Sequence, residues 1–225
     1  MIIRHAWHIF CKDLLLEWRS KQTISSMLIF AIMVVVMFAF AFQPTRDITR
    51  AVFPGMTWVA FTFAGILGLN RAFLSEKQQD CLTGLILAPM DPTAIYFGKV
   101  LGTMFLMGVM ELIALPLFFV LFDFRLQGSL ALLILVILLG TLGFASVGTL
   151  LAALAANSRS SELLLPLILF PIIVPVLISS VKATGLILSG GAGVSEVLVW
   201  LRLLGVYDLV FLVVPFLLFE FVLEV

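Results

Sequence analysis

An all-α membrane protein is the fold class this chain predicts, and three observations predict it. The residues are 63% hydrophobic and only 12% charged, with a mean hydropathy of +1.24, a composition that no water-soluble core absorbs. The apolar residues gather in runs of about 20, the length a helix needs to cross a hydrocarbon core ~30 Å thick. Residues 27–42 are apolar throughout, whereas a membrane barrel strand would alternate over about ten residues. Six spans follow within one transmembrane domain over 1–225: 23–42, 53–69, 95–121, 130–156, 163–181 and 206–220.

The first element is a helix over 1–22. Ile3, Trp7, Phe10, Leu14 and Trp18 share one helical face, with Arg4, His5, His8, Lys12 and Asp13 largely elsewhere, so it reads as an interfacial amphipathic helix with tryptophan anchors. Charges recur at Lys12, Asp13, Glu17 and Arg19, and no small-residue cleavage site follows the first span. The segment is therefore expected to be retained. His5 and His8 stand three apart, near one another on a helix, but without a nearby third ligand they read as part of a basic surface helix.

Between the second and third spans lies a polar island, residues 70–94, reading NRAFLSEKQQDCLTGLILAPMDPTA. Arg71, Glu76, Lys77, Gln78, Gln79 and Asp80 give way to Leu82, Leu85, Ile86 and Leu87, and Pro89 and Pro92 stop the pattern. This spacing predicts a short amphipathic helix lying along the membrane and offering its polar face to a soluble partner. Function is placed here, on Glu76, Lys77, Gln78, Asp80, Leu82, Leu85, Ile86 and Pro89.

The third span carries Glu111 near its centre, where an ionised carboxylate costs about 2.5–3.5 kcal/mol on insertion scales. Glu111 should therefore face protein or water, either as a hydrogen-bonded structural group or lining a substrate path. Lys99 is expected to snorkel. Gly98 and Gly102 form a GxxxG, and Thr141, Ala145, Gly148, Ala152 and Ala155 form a small-residue stripe on the fourth span. Both permit close helix contact, in a bundle or a dimer. The fifth span holds Pro166, Pro171 and Pro175, which read as a hinge or as a static bend filled by neighbours. Residues 189–193 (SGGAG) mark a flexible loop, and 194–204 are either a second interfacial helix anchored by Trp200 or the start of a longer final span broken near Gly205. Asp208 and Glu220 are placed near span ends.

Basic residues set the orientation. Arg4, Lys12, Arg19, Lys21, Arg71, Lys77, Lys99 and Arg159 fall on the side of the N-terminus, against Arg46, Arg50, Arg125, Lys182 and Arg202 opposite, so both termini and the island are expected to be cytoplasmic. Cys11 and Cys81 then lie in a reducing compartment outside any CxxC pattern, which argues against a structural disulfide or metal chelation. Zero net charge offers nothing to a nucleic acid. Gly98-Lys99 is followed by Val100 and lacks the upstream glycine of a phosphate-binding loop, and neither HExxH nor GxSxG occurs. The chain is not expected to be an enzyme; energy must come from a partner or an ion gradient.

An N-terminal interfacial helix, six spans and an island ending in proline before a Gly-Lys resemble the permeases of ABC-2 type ABC exporters. Leu82, Leu85, Ile86, Pro89, Gly98 and Lys99 match that family's island, while Asp80, Cys81 and Thr83 stand where it usually has glycine, a small hydroxyl and glutamate. The string PGMTWVAF at 54–61, leading to Leu69-Asn70-Arg71-Ala72-Phe73, and the Pro171-xxx-Pro175 span resemble, more narrowly, the haem exporter B (CcmB) family of cytochrome c maturation, along nearly the whole chain. The resemblance implies a bacterial inner-membrane permease without its own ATPase. It implies as partners an ATP-binding cassette subunit, a tryptophan-rich haem-handling membrane protein, a periplasmic haem chaperone and a second permease copy. Haem would be handled cargo, ATP would be bound by the partner, and no cofactor would be bound directly. Trp7, Trp18, Trp58 and Trp200 are scattered, so this chain has no tryptophan-rich loop of its own. Left open are an ABC-2 exporter of a drug, lipid or polysaccharide, and an ion-coupled transporter in which Glu111 or Asp208 would be essential.

Overall fold

The computed structural model describes residues 2–41, 46–78, 91–123, 126–156, 161–190 and 193–223. Among them are seven helices: α1 (Ile2–Ser20), α2 (Gln22–Ala41), α3 (Arg46–Gln78), α4 (Pro92–Leu121), α5 (Leu130–Ala156), α6 (Ser161–Ser189) and α7 (Val194–Leu223). All but α1 are long and apolar enough to cross a membrane, so the chain is a multi-pass, all-α membrane protein.

The most enclosed helix is α3, and its apolar window has the lowest mean hydropathy of the six. The two facts agree: a helix surrounded by other helices need not be as greasy as one facing lipid, and it can carry the buried Thr57 and Thr62, whose hydroxyls donate to Phe53 O and Trp58 O of their own helix. Around α3 pack α2, α4, α5 and α6, while α7 closes against α5 and α6. The predicted stripe on α5 is the inner face of that helix: Thr141, Ala145, Gly148, Ala152 and Ala155 are all buried. A Cβ at Gly148 would stand 2.3 Å from Leu69 Cδ1, so its missing side chain is what lets α3 approach.

Three helices run further than the hydropathy runs suggest. The fifth span, expected over 163–181, extends to Ser189 because Ala183, Thr184, Ile187 and Leu188 are buried beyond the exposed Lys182. It ends at Gly190 in the left-handed region (φ 67°), which glycine occupies without the steric penalty of a Cβ. The final span starts at Val194 and not at 206. Residues 194–204 belong to α7 and the helix passes through Gly205, since one glycine costs only about 1 kcal/mol while the backbone ladder continues. Likewise α3 runs on from the second span through Gln78.

Proline leaves a carbonyl four residues earlier without its donor, and here a tyrosine answers. Pro215 lies inside α7 and deprives Phe211 O; the Tyr96 hydroxyl of α4 is shared between Phe211 O and Ser146 O of α5, each at 3.1 Å. On α6, the Tyr207 hydroxyl donates to Ile172 O at 2.9 Å, beside the carbonyl that Pro175 deprives, and Ser179 Oγ donates to Pro175 O. A neighbouring helix's hydroxyl thus meets the turn before Pro215 and the turn before Pro175. Tyr96→Phe is expected to cost about 1 kcal/mol, the net worth of one hydrogen bond, read as a fall in the midpoint of thermal unfolding with the helix content unchanged.

Candidate coupling site

The island begins on the end of α3. Arg71 closes the apolar span of α3, and its guanidinium donates to Gln22 O at 3.0 Å, at the start of α2. Glu76, Lys77 and Gln78 are the last turn of the same helix, so the polar start of the island continues the second span's helix. Asp80, Leu82, Leu85, Ile86 and Pro89 lie outside the described residues, as does Cys81. The described chain resumes at Asp91, the N-cap of α4, which accepts from the Thr93 N–H at 2.9 Å and from its hydroxyl. These bonds hold the Asp91 carboxyl below the usual carboxylate range. Pro92 follows at the first helical position, where its missing N–H costs nothing.

Two turns into α4 the chain meets α1. A Cβ at Gly98 would lie 2.8 Å from Ile9 Cβ and 2.9 Å from Ala6 O, so the two backbones touch. Beside it Lys99 is only 3% exposed and does not snorkel: its Nζ is 2.9 Å from Asp13 Oδ2, and Lys12 holds the other oxygen at 3.0 Å. Desolvating an ammonium is worthwhile only when a carboxylate is presented to it, and Asp13 does this from a helix otherwise basic in its first half. Of the GxxxG pair, Gly98 makes the close contact, whereas a Cβ at Gly102 would meet nothing within 4 Å.

The buried face of α1 is therefore Ala6, Ile9 and the partly buried Asp13. The tryptophan stripe faces outward: Ile3, Trp7 and Trp18 are 86%, 57% and 78% exposed. At the elbow Lys21 adopts φ 52°, and Glu17 Oε1 accepts the Thr23 and Ile24 N–H groups at 2.8 Å, capping α2 from the preceding helix. Hydropathy alone did not single out Asp13, Glu17 or Tyr96. The signal was available as acids in a basic segment and a tyrosine two residues before the Gly-Lys pair.

A second polar layer lies deep among the spans. Glu111 is 4% exposed and its Oε1 accepts from the Thr141 hydroxyl at 2.7 Å. Asp208, expected near a span end, is instead 3% exposed, because α7 begins twelve residues earlier than the hydropathy run. A Cβ at Gly143 would come within 2.7 Å of its Oδ1. Trp58 of the PGMTWVAF string donates from Nε1 to Thr184 Oγ1 at 3.0 Å, tying α3 to α6. A cavity of about 10 Å³, lined mainly by Trp58, Phe61, Met107, Gly140, Phe144 and Val176, holds at most one water. Pro166, Pro171 and Pro175 all lie within the unbroken α6.

A multi-pass helical membrane protein whose polar segment between the second and third spans is tied at one border to the start of α2 and at the other to α1 is the class these features define. The family model described as CcmB protein matches residues 4–223, and the chain belongs to that family. It is 29% identical over 208 residues to heme exporter protein B of Rhodobacter capsulatus, covering 92% of this chain and 94% of that one. Heme exporter protein B of Pseudomonas aeruginosa is 27% identical over 170 residues, 76% of each chain, and that of Haemophilus influenzae 28% over 183 residues, 79% of this chain and 81% of the other.

Proposed function

We propose that the chain is the membrane permease subunit of a complex that exports or delivers haem to the periplasm for c-type cytochrome maturation, driven by a separate ATP-binding cassette subunit. The observation that carries this reading is the family match across 4–223, together with the match to heme exporter protein B of Rhodobacter capsulatus over 92% of this chain and 94% of that one. The basic-residue bias supports an inner-membrane orientation with both termini and the 70–94 segment cytoplasmic. A second copy completes the transporter, and a haem-handling membrane protein and a periplasmic haem chaperone receive its output.

The bracing of the segment supports a mechanism. The ATP-binding partner docks on the polar and apolar faces offered by Glu76, Lys77, Gln78, Asp80, Leu82, Leu85, Ile86 and Pro89. Its closure displaces the segment, and the displacement has two ways out. Through Arg71 it reaches the α1–α2 elbow. Through the start of α4 it reaches α1 at Gly98 and Lys99, and α5 and α7 at the Tyr96 hydroxyl. The proline-bent α6 and α7 then shift on the far side of the bundle, with Glu111 held by Thr141 as a fixed point between α4 and α5.

Gentle detergent extraction of the tagged chain from its native membrane tests this. A nucleotide-binding subunit is expected to co-purify with ATPase activity, and both are expected to fall at least tenfold in Leu85→Asp/Ile86→Asp, since each apolar anchor lost from an interface costs about 1–2 kcal/mol or more. A lone chain in both samples would overturn the reading and favour an ion-coupled transporter.

A further inference from the structure

The helix α1 carries its charges in an order that its contact with α4 explains only in part. Its two acids are both spent inward: Asp13 is ion-paired with the buried Lys99, and Glu17 caps α2. The outward arc next to the exposed Ile3, Trp7 and Trp18 carries Arg4, His8 and Arg19, all exposed, and Lys21 follows exposed at the elbow. Lys12 lies along the same arc with its Nζ on Asp13. No acid interrupts this arc between Ile2 and Lys21. Three faces result: one against protein, one apolar, and one basic and adjoining the apolar face.

We propose that α1 is a binding site for anionic phospholipid headgroups, with Arg4, Arg19 and Lys21 as the phosphate-binding residues beside a wedge of Ile3, Trp7 and Trp18. The apolar arc sets the helix at the level of the acyl boundary, which brings the neighbouring guanidinium groups to the depth of the phosphates. A guanidinium meets a phosphate with paired N–H donors, and a basic residue at an anionic surface contributes about 1 kcal/mol, or about fivefold in affinity. Charge complementarity selects lipid over an apolar protein partner here, because a basic arc runs alongside the apolar one. The site flanks the Gly98 and Lys99 contact, so headgroup occupancy also steadies the strut next to the coupling segment. This inference does not rest on haem as cargo.

The test uses the full chain in zwitterionic detergent with whatever subunits accompany it. Phosphatidylglycerol or phosphatidylcholine is titrated in, and binding is read by native mass spectrometry and by the shift in unfolding temperature. The wild type is expected to bind phosphatidylglycerol at least tenfold more tightly. That preference should vanish in Arg4→Gln/Arg19→Gln/Lys21→Gln, whose unfolding temperature in phosphatidylcholine should match the wild type. If the variant does not fold, the wild type at high salt provides the second reading, since screening of exposed charges should remove the preference. Equal binding of both lipids by the wild type overturns the proposal. So does a variant that keeps its phosphatidylglycerol preference while losing an accompanying protein subunit, which would make the basic arc a protein-docking surface.

Discussion

Asp13→Leu is expected to destabilise the folded chain by about 3 kcal/mol, whereas the paired replacement Asp13→Leu/Lys99→Met costs markedly less, the fourth corner of the cycle being Lys99→Met. The asymmetry follows from burial. Lys99 is almost fully enclosed where α4 meets α1, so removing its carboxylate leaves an ammonium that has already lost its water. Asp13 keeps 22% of its side chain exposed, which puts the cost at the lower end of the range for breaking buried pairs. Replacing both partners with apolar groups removes the desolvation problem and retains the packing of Ile9 and Ala6 on Gly98. Thermal unfolding of the four proteins of the cycle gives the coupling energy. Protease access to α1 gives the location of the damage: the single variant is expected to release α1 and the double variant to hold it. Cytochrome maturation should follow the same order, since α1 is the support on which α4 packs just beyond the 70–94 segment.

The spans were legible because lipid imposes a one-dimensional rule, apolar length, that a sequence displays directly. Their ends were less so. Lys182 stopped the fifth span in the hydropathy pattern, yet one exposed lysine on the outer side of α6 leaves its inner face free to stay buried through Leu188. The same habit misplaced Asp208: a span taken to begin at 206 puts it at the surface, whereas α7 from Val194 puts it among buried neighbours. Amphipathicity identified α1 but not which of its faces meets protein. The contact is made by small Ala6 and by Ile9 against a glycine, and close approach selects small side chains, while the large Ile3, Trp7 and Trp18 that dominate the pattern face outward.

The candidate site was legible as a segment and not as a mechanism. Its polar-to-apolar switch and terminal prolines are local features. In the proposed mechanism its coupling role rests on the long-range contacts at its borders, Arg71 to Gln22 and Lys99 to Asp13, between residues 49 and 86 positions apart in the chain. No periodicity encodes such pairs. Tyr96 belongs to the same class: its role depends on a proline in a helix more than a hundred residues away.

Gly140→Ala is expected to cost about 1–3 kcal/mol, and Trp58→Phe to recover most of that loss in the double variant. A Cβ at position 140 would stand 2.2 Å from Trp58 Cη2 and 2.7 Å from both Trp58 Cζ3 and Ser180 Oγ. The indole cannot easily retreat. Its Nε1 is bonded to Thr184 Oγ1, and its ring meets Phe61 edge-on at 5.9 Å. A phenyl at position 58 lacks the outer six-membered edge that the new methyl would strike, although it gives up the bond to Thr184, worth about 1 kcal/mol. Unfolding temperatures of the two single variants and the double variant measure the coupling. If Trp58 serves to lock α3 onto α5 and α6, cytochrome maturation should recover in parallel with stability in the double variant. Stability restored without activity would instead give the indole a part in the transport path, alongside the cavity it lines.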